Sequence, residues 1–330
     1  MTSRIAAFLR KSGVIPGISL STEIDAIKMN TTTFQGGSLV SLLFLDGSDS
    51  PSFVVRVPRD RARPERLRAN YQALQRLLGI SSISDTVPRP VFLGEVNGTV
   101  LTVETCMHGT ALYADLASRT DRTAMVIDKL FDWAWRLHSY TAVGPVPGYA
   151  DSVTSNLRLL RETGLISTES EAILSNWVDY AVESGISFAF RHGDFNPNNV
   201  LIAEDGEPSG VVDWEYAGIG PAVFDIFTML RTGLLAAESE AGRITEQVES
   251  LLGGTHPESK QLLGALSRYS SENNYRPLLY VYLVQMLAEF VNTTGNRRDP
   301  QLRPWVDYIN GLTAWRPSAS WRRSGPVAVC

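Results

Sequence analysis

The sequence has little of what disulfide-bonded, metal-cluster and nucleic-acid-binding proteins require. Only two cysteines, Cys106 and Cys330, and four histidines occur in 330 residues. Two cysteines build neither a disulfide framework nor a cysteine metal cluster, so we expect a reducing, cytoplasmic location. No two histidines have metal-ligand spacing, which argues against a metallohydrolase. A net charge of -5 gives no electrostatic reason to expect nucleic acid or an anionic membrane as a partner.

Long hydrophobic runs are also missing. No window approaches the roughly 20 apolar residues that cross a bilayer, and Arg10 and Lys11 interrupt the short N-terminal apolar patch. We therefore expect no membrane segment and no export signal. The chain is 44% hydrophobic and 20% charged, which is typical of a globular protein, and its length exceeds one usual compact domain. We therefore expect a chain of two lobes. Its partner should be a small molecule or a peptide.

The order of predicted elements changes along the chain. Two β-rich runs, 38–45 and 52–58, flank a turn and predict a hairpin. An amphipathic helix follows in "RPERLRANYQALQRLLGI", and a second hairpin is predicted around Asn97-Gly98. From about residue 107 helical patterns dominate, except for a short β island between 187 and 215. This pattern predicts a β-rich part followed by a larger helical part.

The β island contains two carboxylates and an amide at defined positions. Asp194 and Asn199 lie in "RHGDFNPNNVLI", and Asp213 ends the next predicted strand, "GVVD". A hairpin of these two strands returns Asp213 toward Asn199. An amide oxygen and a carboxylate suit a hard cation such as Mg²⁺. Asp194 precedes this pair and is placed to contact a nucleophile, as in phosphoryl transfer.

At these residues the chain resembles the aminoglycoside phosphotransferase and choline kinase family, relatives of protein kinases. "HGDFNPNN" is similar to the family's His-Gly-Asp, four residues, Asn pattern, and "VVDWE" is similar to its metal-binding segment. The resemblance implies that Asp194 is the catalytic base and that Asn199 and Asp213 bind Mg²⁺. It also implies a structural role for His192, which braces the loop, and for a buried Asp225.

The resemblance further implies an α+β, bilobal, protein-kinase-like fold. Residues 1–106 are then expected to form the N-terminal nucleotide-binding lobe, a small antiparallel β-sheet with one helix. Residues 107–330 are expected to form the larger, mainly helical lobe for catalysis and substrate binding.

Other segments are similar to the family's nucleotide site. "TTTFQGGSLVSLLF" resembles the hairpin that covers the phosphates, where Gly36 and Gly37 admit the backbone and Ser38 faces a phosphate oxygen. "FVVRVP" resembles the strand that presents a cation to the phosphates, here Arg56. "TVLTVETCMHGTAL" resembles the hinge, and the family implies that its backbone around Thr105 and Met107 binds the base of ATP or GTP.

One position departs from the pattern. Protein kinases hold the nucleotide-binding cation with a helix Glu, and alignment on "ALQRLL" places Asn70 there. Asn70 could instead accept a neutral hydrogen bond from Arg56. The departure keeps open a non-catalytic, kinase-like nucleotide-binding scaffold.

The leading hypothesis is an ATP-dependent O-phosphotransferase that moves the γ-phosphate to a hydroxyl of a small molecule, an antibiotic or a metabolite, with Mg²⁺. A Ser/Thr kinase acting on a peptide in natural-product biosynthesis is the second. An acidic pocket for a cationic aminoglycoside would draw on Glu215, Asp225 or Glu289. The sequence leaves open the acceptor, the nucleotide base and the oligomeric state.

Overall fold

The computed structural model describes residues 2–15, 17–29, 38–60, 64–118, 122–235, 241–295 and 302–311. The chain divides into two compact units. The first unit comprises Met1–Tyr140 and His192–Gly218, and the second comprises Thr141–Arg191 and Ile219–Cys330. The predicted lobes meet at residue 106 and are defined by their expected functions, whereas these two units are defined by compactness. The predicted division into lobes therefore stays a prediction.

The first unit contains a five-stranded antiparallel sheet. Its strands lie in the order β1-β2-β3-β5-β4 and are β1 (Ile24–Lys28), β2 (Ser38–Leu45), β3 (Phe53–Pro58), β4 (Pro90–Val96) and β5 (Thr99–Thr105). Asn97 and Gly98 join β4 to β5 with φ angles of 52° and 74°. Both values are positive, as a two-residue hairpin turn requires.

The two faces of this sheet carry different residues. Val55 and Val57 pack into a hydrophobic core with Leu9 of helix α1 (Thr2–Ser12), a helix that the sequence patterns did not predict. Arg56 lies between the two valines and therefore points to the opposite face. Helix α2 (Glu65–Leu77) lies on that side, where its Asn70 donates to Glu104 of β5, and three of its leucines, Leu67, Leu74 and Leu77, are buried.

A smaller three-stranded sheet, in the order β6-β8-β9, completes the first unit. Its strands are β6 (Thr110–Ala111), β8 (Val200–Ile202) and β9 (Pro208–Val211), and its helices are α3 (Leu112–Ser118) and α4 (Thr123–Tyr140). Arg122, just before α4, and Lys129, on α4, donate to backbone carbonyls of the turn between β8 and β9. Trp133, also on α4, is buried and stacks on Phe195 with ring centroids 5.7 Å apart. Helix α4 thereby contacts the turn between β8 and β9 as well as the loop that precedes β8.

The second unit is mainly helical. Its elements are α5 (Tyr149–Glu162), α6 (Thr168–Glu183), β7 (Phe188–Arg191), β10 (Gly218–Pro221, which starts at the boundary), α7 (Phe224–Met229), a π-helical turn (Leu230–Leu234), α8 (Ala241–Leu252), α9 (Ser259–Leu266), α10 (Tyr275–Thr294) and α11 (Arg303–Asn310). Helix α10 is buried along most of its length and forms the centre of this unit. None of the helices in the described ranges is both long and apolar enough to span a membrane. The predicted α+β class, an antiparallel sheet with a larger helical part, is confirmed.

Candidate active site

The β8–β9 hairpin brings the predicted metal ligands together. Val200 pairs with Val211 across the two strands. The N–H of Val212 then donates to the carbonyl of Asn199 at 2.9 Å. Asp213 is the next residue, so its carboxylate follows directly from the strand that pairs with Asn199. The structure therefore contains the predicted hairpin, which brings Asp213 back toward Asn199.

Asn199 is also bonded to the predicted catalytic carboxylate. Its Nδ2 donates to the Asp194 carbonyl oxygen at 2.9 Å and to Asp194 Oδ2 at 3.1 Å. The loop between them is closed by Asn196, whose Oδ1 accepts from the N–H of Asn198 at 2.9 Å. This is the local turn that Asn side chains favour. Asp194 and Asn199 therefore have fixed relative positions.

His192 is buried and braces the loop. The Asp194 N–H donates to His192 Nδ1 at 3.2 Å, so Nδ1 is unprotonated and Nε2 carries the proton that it donates to the Val212 carbonyl at 2.9 Å. Both ring nitrogens thus bind backbone. Gly193, with φ of 83°, passes so close to Tyr216 that an added Cβ would collide with the Tyr216 carbonyl oxygen. The loop therefore needs glycine at this position.

Arg56 is the central cation of the site. Its Nε donates to Glu104 Oε1 at 3.0 Å and its Nη1 donates to Asp213 Oδ1, also at 3.0 Å. The side chains of Arg56 and Glu104 are only 10% and 2% exposed. Burial lowers the pKa of Arg56, but the charges of Glu104 and Asp213 outweigh burial and raise it above its ordinary value. Arg56 is therefore permanently charged.

Asn70 does not bond to Arg56, as the sequence had suggested it could. Its Nδ2 donates to Glu104 Oε2 at 2.8 Å, and its Oδ1 accepts from the Trp214 N–H at 2.8 Å. Glu104 supplies the carboxylate for Arg56 instead. Sequence reasoning missed Glu104, although one signal was present, because it is the single acidic residue in the apolar strand "TVLTVET".

A second charged group lies beside the first. Arg66 Nη1 is 3.4 Å from Glu215 Oε1, and the Arg66 guanidinium lies 4.7 Å from the centre of the Tyr216 ring. Burial and the charge of Asp213 raise the pKa of Glu215 to about 7, against the lowering influence of the two arginines. The other acidic residues considered for a substrate pocket belong to the second unit, where Asp225 is buried on α7 and Glu289 is exposed on α10. The supporting role predicted for Asp225 stays a prediction.

The structure describes some of the predicted nucleotide-binding residues but not all of them. Gly36 and Gly37 lie outside the described residues, and Ser38 is the first residue of β2. The Thr105 N–H donates to the Arg89 carbonyl. The Met107 N–H donates to no residue in the described part of the chain. Of the two predicted hinge residues, Met107 is therefore the one with a backbone donor available for a base.

The oxygen atoms left over at the site fit Mg²⁺. Asn199 Oδ1 and Asp213 Oδ2 accept no hydrogen bond from any described residue, while the other polar atoms of both side chains are engaged. One amide oxygen and one carboxylate oxygen are the few protein ligands that Mg²⁺ takes when phosphates and water complete its shell. Within the described ranges, no three His, Cys, Asp or Glu side chains cluster as ligands of another metal ion.

The fold and this group of residues define a protein-kinase-like phosphotransferase. The chain matches the family model of the phosphotransferase enzyme family over residues 31–258. This is more than half of its length, and the chain therefore belongs to that family. The prediction of a kinase-type phosphotransferase is confirmed.

Solved structures with the same fold are distant in sequence. The GDP and kanamycin complex of the phosphotransferase APH(2″)-IIIa is 15% identical, with a TM-score of 0.59 over 95% of this chain and 97% of that one. A macrolide 2′-phosphotransferase of type I is 14% identical, with a TM-score of 0.57 over 95% of each chain. An aminoglycoside phosphotransferase from Streptomyces rimosus is 14% identical, with a TM-score of 0.51 over 85% of this chain and 97% of that one. A comparison with curated protein sequences gives no match.

Proposed function

We propose that the protein transfers the γ-phosphoryl group of ATP or GTP to a hydroxyl of a small molecule. The observation that carries the proposal is the joint placement of Asp194, Asn199 and Asp213, with Asn199 bonded to Asp194 Oδ2 at 3.1 Å and Asp213 on the paired strand. A protein that only binds a partner does not need all three side chains. A cytoplasmic location remains part of the proposal.

Asp194 is the proposed catalytic base. Its Oδ2 accepts from Asn199, whereas its Oδ1 accepts from no described residue and is available to an acceptor hydroxyl. The acceptor oxygen forms a bond to the γ-phosphorus, the bond from that phosphorus to the β–γ bridging oxygen breaks, and the hydroxyl proton passes to Asp194. Because Asn199 and His192 hold the residue on both sides, the carboxylate is oriented before the acceptor arrives.

Asn199 and Asp213 are the residues that would hold Mg²⁺. The ion would neutralise charge on the phosphates. Arg56 adds a fixed positive charge, since its Nη2 donates to no described residue and is available to a phosphate oxygen. This group of side chains suits an anionic phosphate chain and a divalent cation together.

Two properties of structural neighbours support the choice of ligands. One neighbour binds GDP and kanamycin, and another acts on macrolides. A purine nucleotide is the proposed phosphoryl donor, with Gly36, Gly37, Ser38, Arg56, Thr105 and Met107 as its predicted contacts. A small hydroxylated molecule is the proposed acceptor.

The first test measures nucleotide binding and turnover. ATP and GTP should each be tried with and without Mg²⁺ in a thermal-shift assay, followed by nucleotide consumption with a panel of aminoglycosides, including kanamycin, and macrolides. For an acceptor that turns over, Asp194→Asn should lower kcat by about 100- to 10,000-fold, because the proton acceptor is lost. Nucleotide affinity should not change, since Asp194 is not a phosphate contact.

Asp205→Asn is the matched control for this test. Asp205 is an exposed carboxylate in the turn between β8 and β9, where its Oδ1 accepts from the Glu207 N–H. The control should keep wild-type kcat. A kcat of Asp194→Asn within a few-fold of wild type would show that Asp194 is not the base.

A further inference from the structure

A closed ring of hydrogen bonds runs through the first unit. Asn70 Nδ2 donates to Glu104 Oε2 at 2.8 Å, and Arg56 Nε donates to Glu104 Oε1 at 3.0 Å. Arg56 Nη1 donates to Asp213 Oδ1 at 3.0 Å, and the N–H of the next residue, Trp214, returns to Asn70 Oδ1 at 2.8 Å. The ring joins helix α2, strands β3 and β5, and the segment that follows β9.

Each member of the ring depends on the chemistry of its neighbours. The Trp214 N–H requires an acceptor on residue 70, and Glu104 requires a donor on the same residue. An amide provides both, whereas a carboxylate at position 70 would face the Glu104 carboxylate across 2.8 Å. Asn70 and Glu104 are therefore matched to each other.

We propose that Glu104 is the positioning residue for Arg56, in the place of the helix carboxylate that holds the corresponding cation in protein kinases. Here the carboxylate comes from the strand beside Arg56, and the helix contributes an amide that holds the carboxylate. The inference rests on the proposed function, because it assumes that Arg56 contacts nucleotide phosphates. It removes the reason for a non-catalytic scaffold that Asn70 had given.

The geometry explains how this arrangement fixes the guanidinium. Arg56 Nε and Nη1 are each held by a carboxylate from a different element, so the plane of the guanidinium cannot rotate. Nη2 is left to donate outside the ring. A charge fixed before the ligand binds gives tighter binding than a mobile one, because no side-chain entropy is lost on association.

The first test replaces Glu104 with its amide. Glu104→Gln removes the negative charge and turns a donor toward Asn70 Nδ2 or Arg56 Nε. We expect the affinity for ADP, measured by titration calorimetry with and without Mg²⁺, to fall by about tenfold or more. An affinity equal to that of wild type would overturn the role of Glu104.

An isosteric exchange of charge provides the rescue. In the double variant Asn70→Asp with Glu104→Gln, the new amide nitrogen on β5 donates to the new carboxylate on α2. That carboxylate still accepts from the Trp214 N–H, and the new amide oxygen still accepts from Arg56 Nε. Every hydrogen bond of the ring is kept, but in the bond between residues 70 and 104 the donor and the acceptor exchange places. The net charge is that of wild type.

The double variant should therefore recover part of the lost affinity. We expect it to bind ADP at least about threefold more tightly than Glu104→Gln alone, a coupling that the hydrogen bonds between neighbours predict. A double variant no tighter than the single one contradicts the proposal.

Controls separate this role from folding and from the proposed function. Ser170→Ala removes a buried hydroxyl in the second unit that donates to Asn310 at 3.0 Å, and it should lower thermal stability without changing ADP affinity.

If Glu104→Gln does not fold, Glu104→Asp takes its place. The shorter carboxylate does not reach Arg56 Nε, so weaker ADP binding supports the proposal and unchanged binding overturns it. Absence of ADP binding by the wild-type protein would overturn the proposed function and this role with it, whereas binding by wild type and variant alike overturns the role alone.

Discussion

At the scale of single residues, the backbone of Asp213 is the unusual feature of the site. Its φ of 69° lies in the left-handed region that residues other than glycine rarely adopt. The Arg56 bond at its Oδ1 and the Asn70 bond at the following N–H hold it on both sides. Such conformations persist where the surroundings over-determine them, which is common at functional sites.

Asp213→Asn tests the metal assignment without disturbing this conformation. Asn tolerates positive φ, and its Oδ1 can still accept from Arg56. With Oδ1 bonded to Arg56, the Nδ2 of the new amide replaces the remaining carboxylate oxygen, and an amide nitrogen does not bind Mg²⁺. We expect the factor by which Mg²⁺ raises the affinity for ADP to fall by at least about tenfold.

Titration calorimetry with ADP at fixed Mg²⁺ concentrations measures this difference. Asp205→Asn, which also replaces one carboxylate by an amide, serves as the control and should retain the full Mg²⁺ effect. If Asp213→Asn keeps the wild-type gain in affinity on adding Mg²⁺, the metal is held elsewhere.

Glu104 marks the limit of sequence reasoning at this scale. One short stretch of chain contains Asp194, Asn199 and Asp213. Local sequence patterns were therefore enough to predict their motif and the hairpin between them. Glu104 and Arg56 meet only because Arg56 is opposite Thr102 in the β3–β5 pairing, which places Glu104 diagonally across on the same face. The register of two strands whose residues are 48 positions apart cannot be obtained from local patterns, and for that reason Asn70 looked like a defect.

At the scale of elements, local signals located most helices and strands but not all their ends. The hairpins around Asn97-Gly98 and the helix over 65–77 follow from turn residues and periodicity. In the sequence, Thr168 and Glu171 have the spacing of a capping box for helix α6, but the helix begins differently. Ser167 is its N-cap, and Ser167 Oγ accepts from the Ser170 N–H at 3.0 Å. Several Ser and Thr residues lie in a row there, and sequence does not say which one adopts the extended backbone of a cap.

Replacing the cap residue distinguishes the two assignments. Ser167→Ala should lower the free energy of unfolding by about 1 kcal/mol, because the first turn of α6 loses a bonded N–H. This corresponds to a fall in Tm of roughly 1 to 2 °C for a chain of 330 residues. Thr168→Ala is the matched control, since the exposed Thr168 lies one residue inside the helix, and it should change Tm by less. A larger effect at Thr168 would favour the cap expected from sequence.

At the scale of the whole molecule, the two units differ in what they bury. The first buries the ion pair of Arg56 with Glu104, whereas the second buries tyrosines around its central helix. Tyr280 on α10 stacks on Tyr308 of α11 at 5.7 Å, and its ring meets Trp177 of α6 edge to face at 5.3 Å. Helical periodicity indicates which side of such a helix is apolar, but not which hydroxyls leave water. That outcome depends on the packing of helices far apart in sequence.

The buried tyrosines predict alkaline unfolding of the second unit. Burial raises the pKa of Tyr280 to about 12, although the hydrogen bond with Tyr308 acts in the opposite direction. Burial also raises the pKa of Tyr149, Tyr269 and Tyr308 above the ordinary range. An unfolded tyrosine loses its proton near pH 10. Above that pH the native unit holds more protons than the unfolded chain, so its stability falls as pH rises.

The size and sign of this effect can be measured directly. Each pKa unit of separation corresponds to about 1.4 kcal/mol, so Tyr280 alone destabilises the folded state by roughly 2 to 3 kcal/mol above pH 12. Below about pH 10, tyrosine ionisation should not lower the midpoint of chemical denaturation. Above about pH 10, the midpoint should decline steadily. Tyr280→Phe should reduce the decline, because phenylalanine has no proton to lose, whereas Tyr113→Phe, at an exposed position on α3, should leave the decline unchanged. Tyrosinate absorbance followed during the same titration should show the buried hydroxyls ionising together with loss of helical circular dichroism. Gradual ionisation of all tyrosines near pH 10 with the helices intact would mean that these hydroxyls reach solvent in the folded protein.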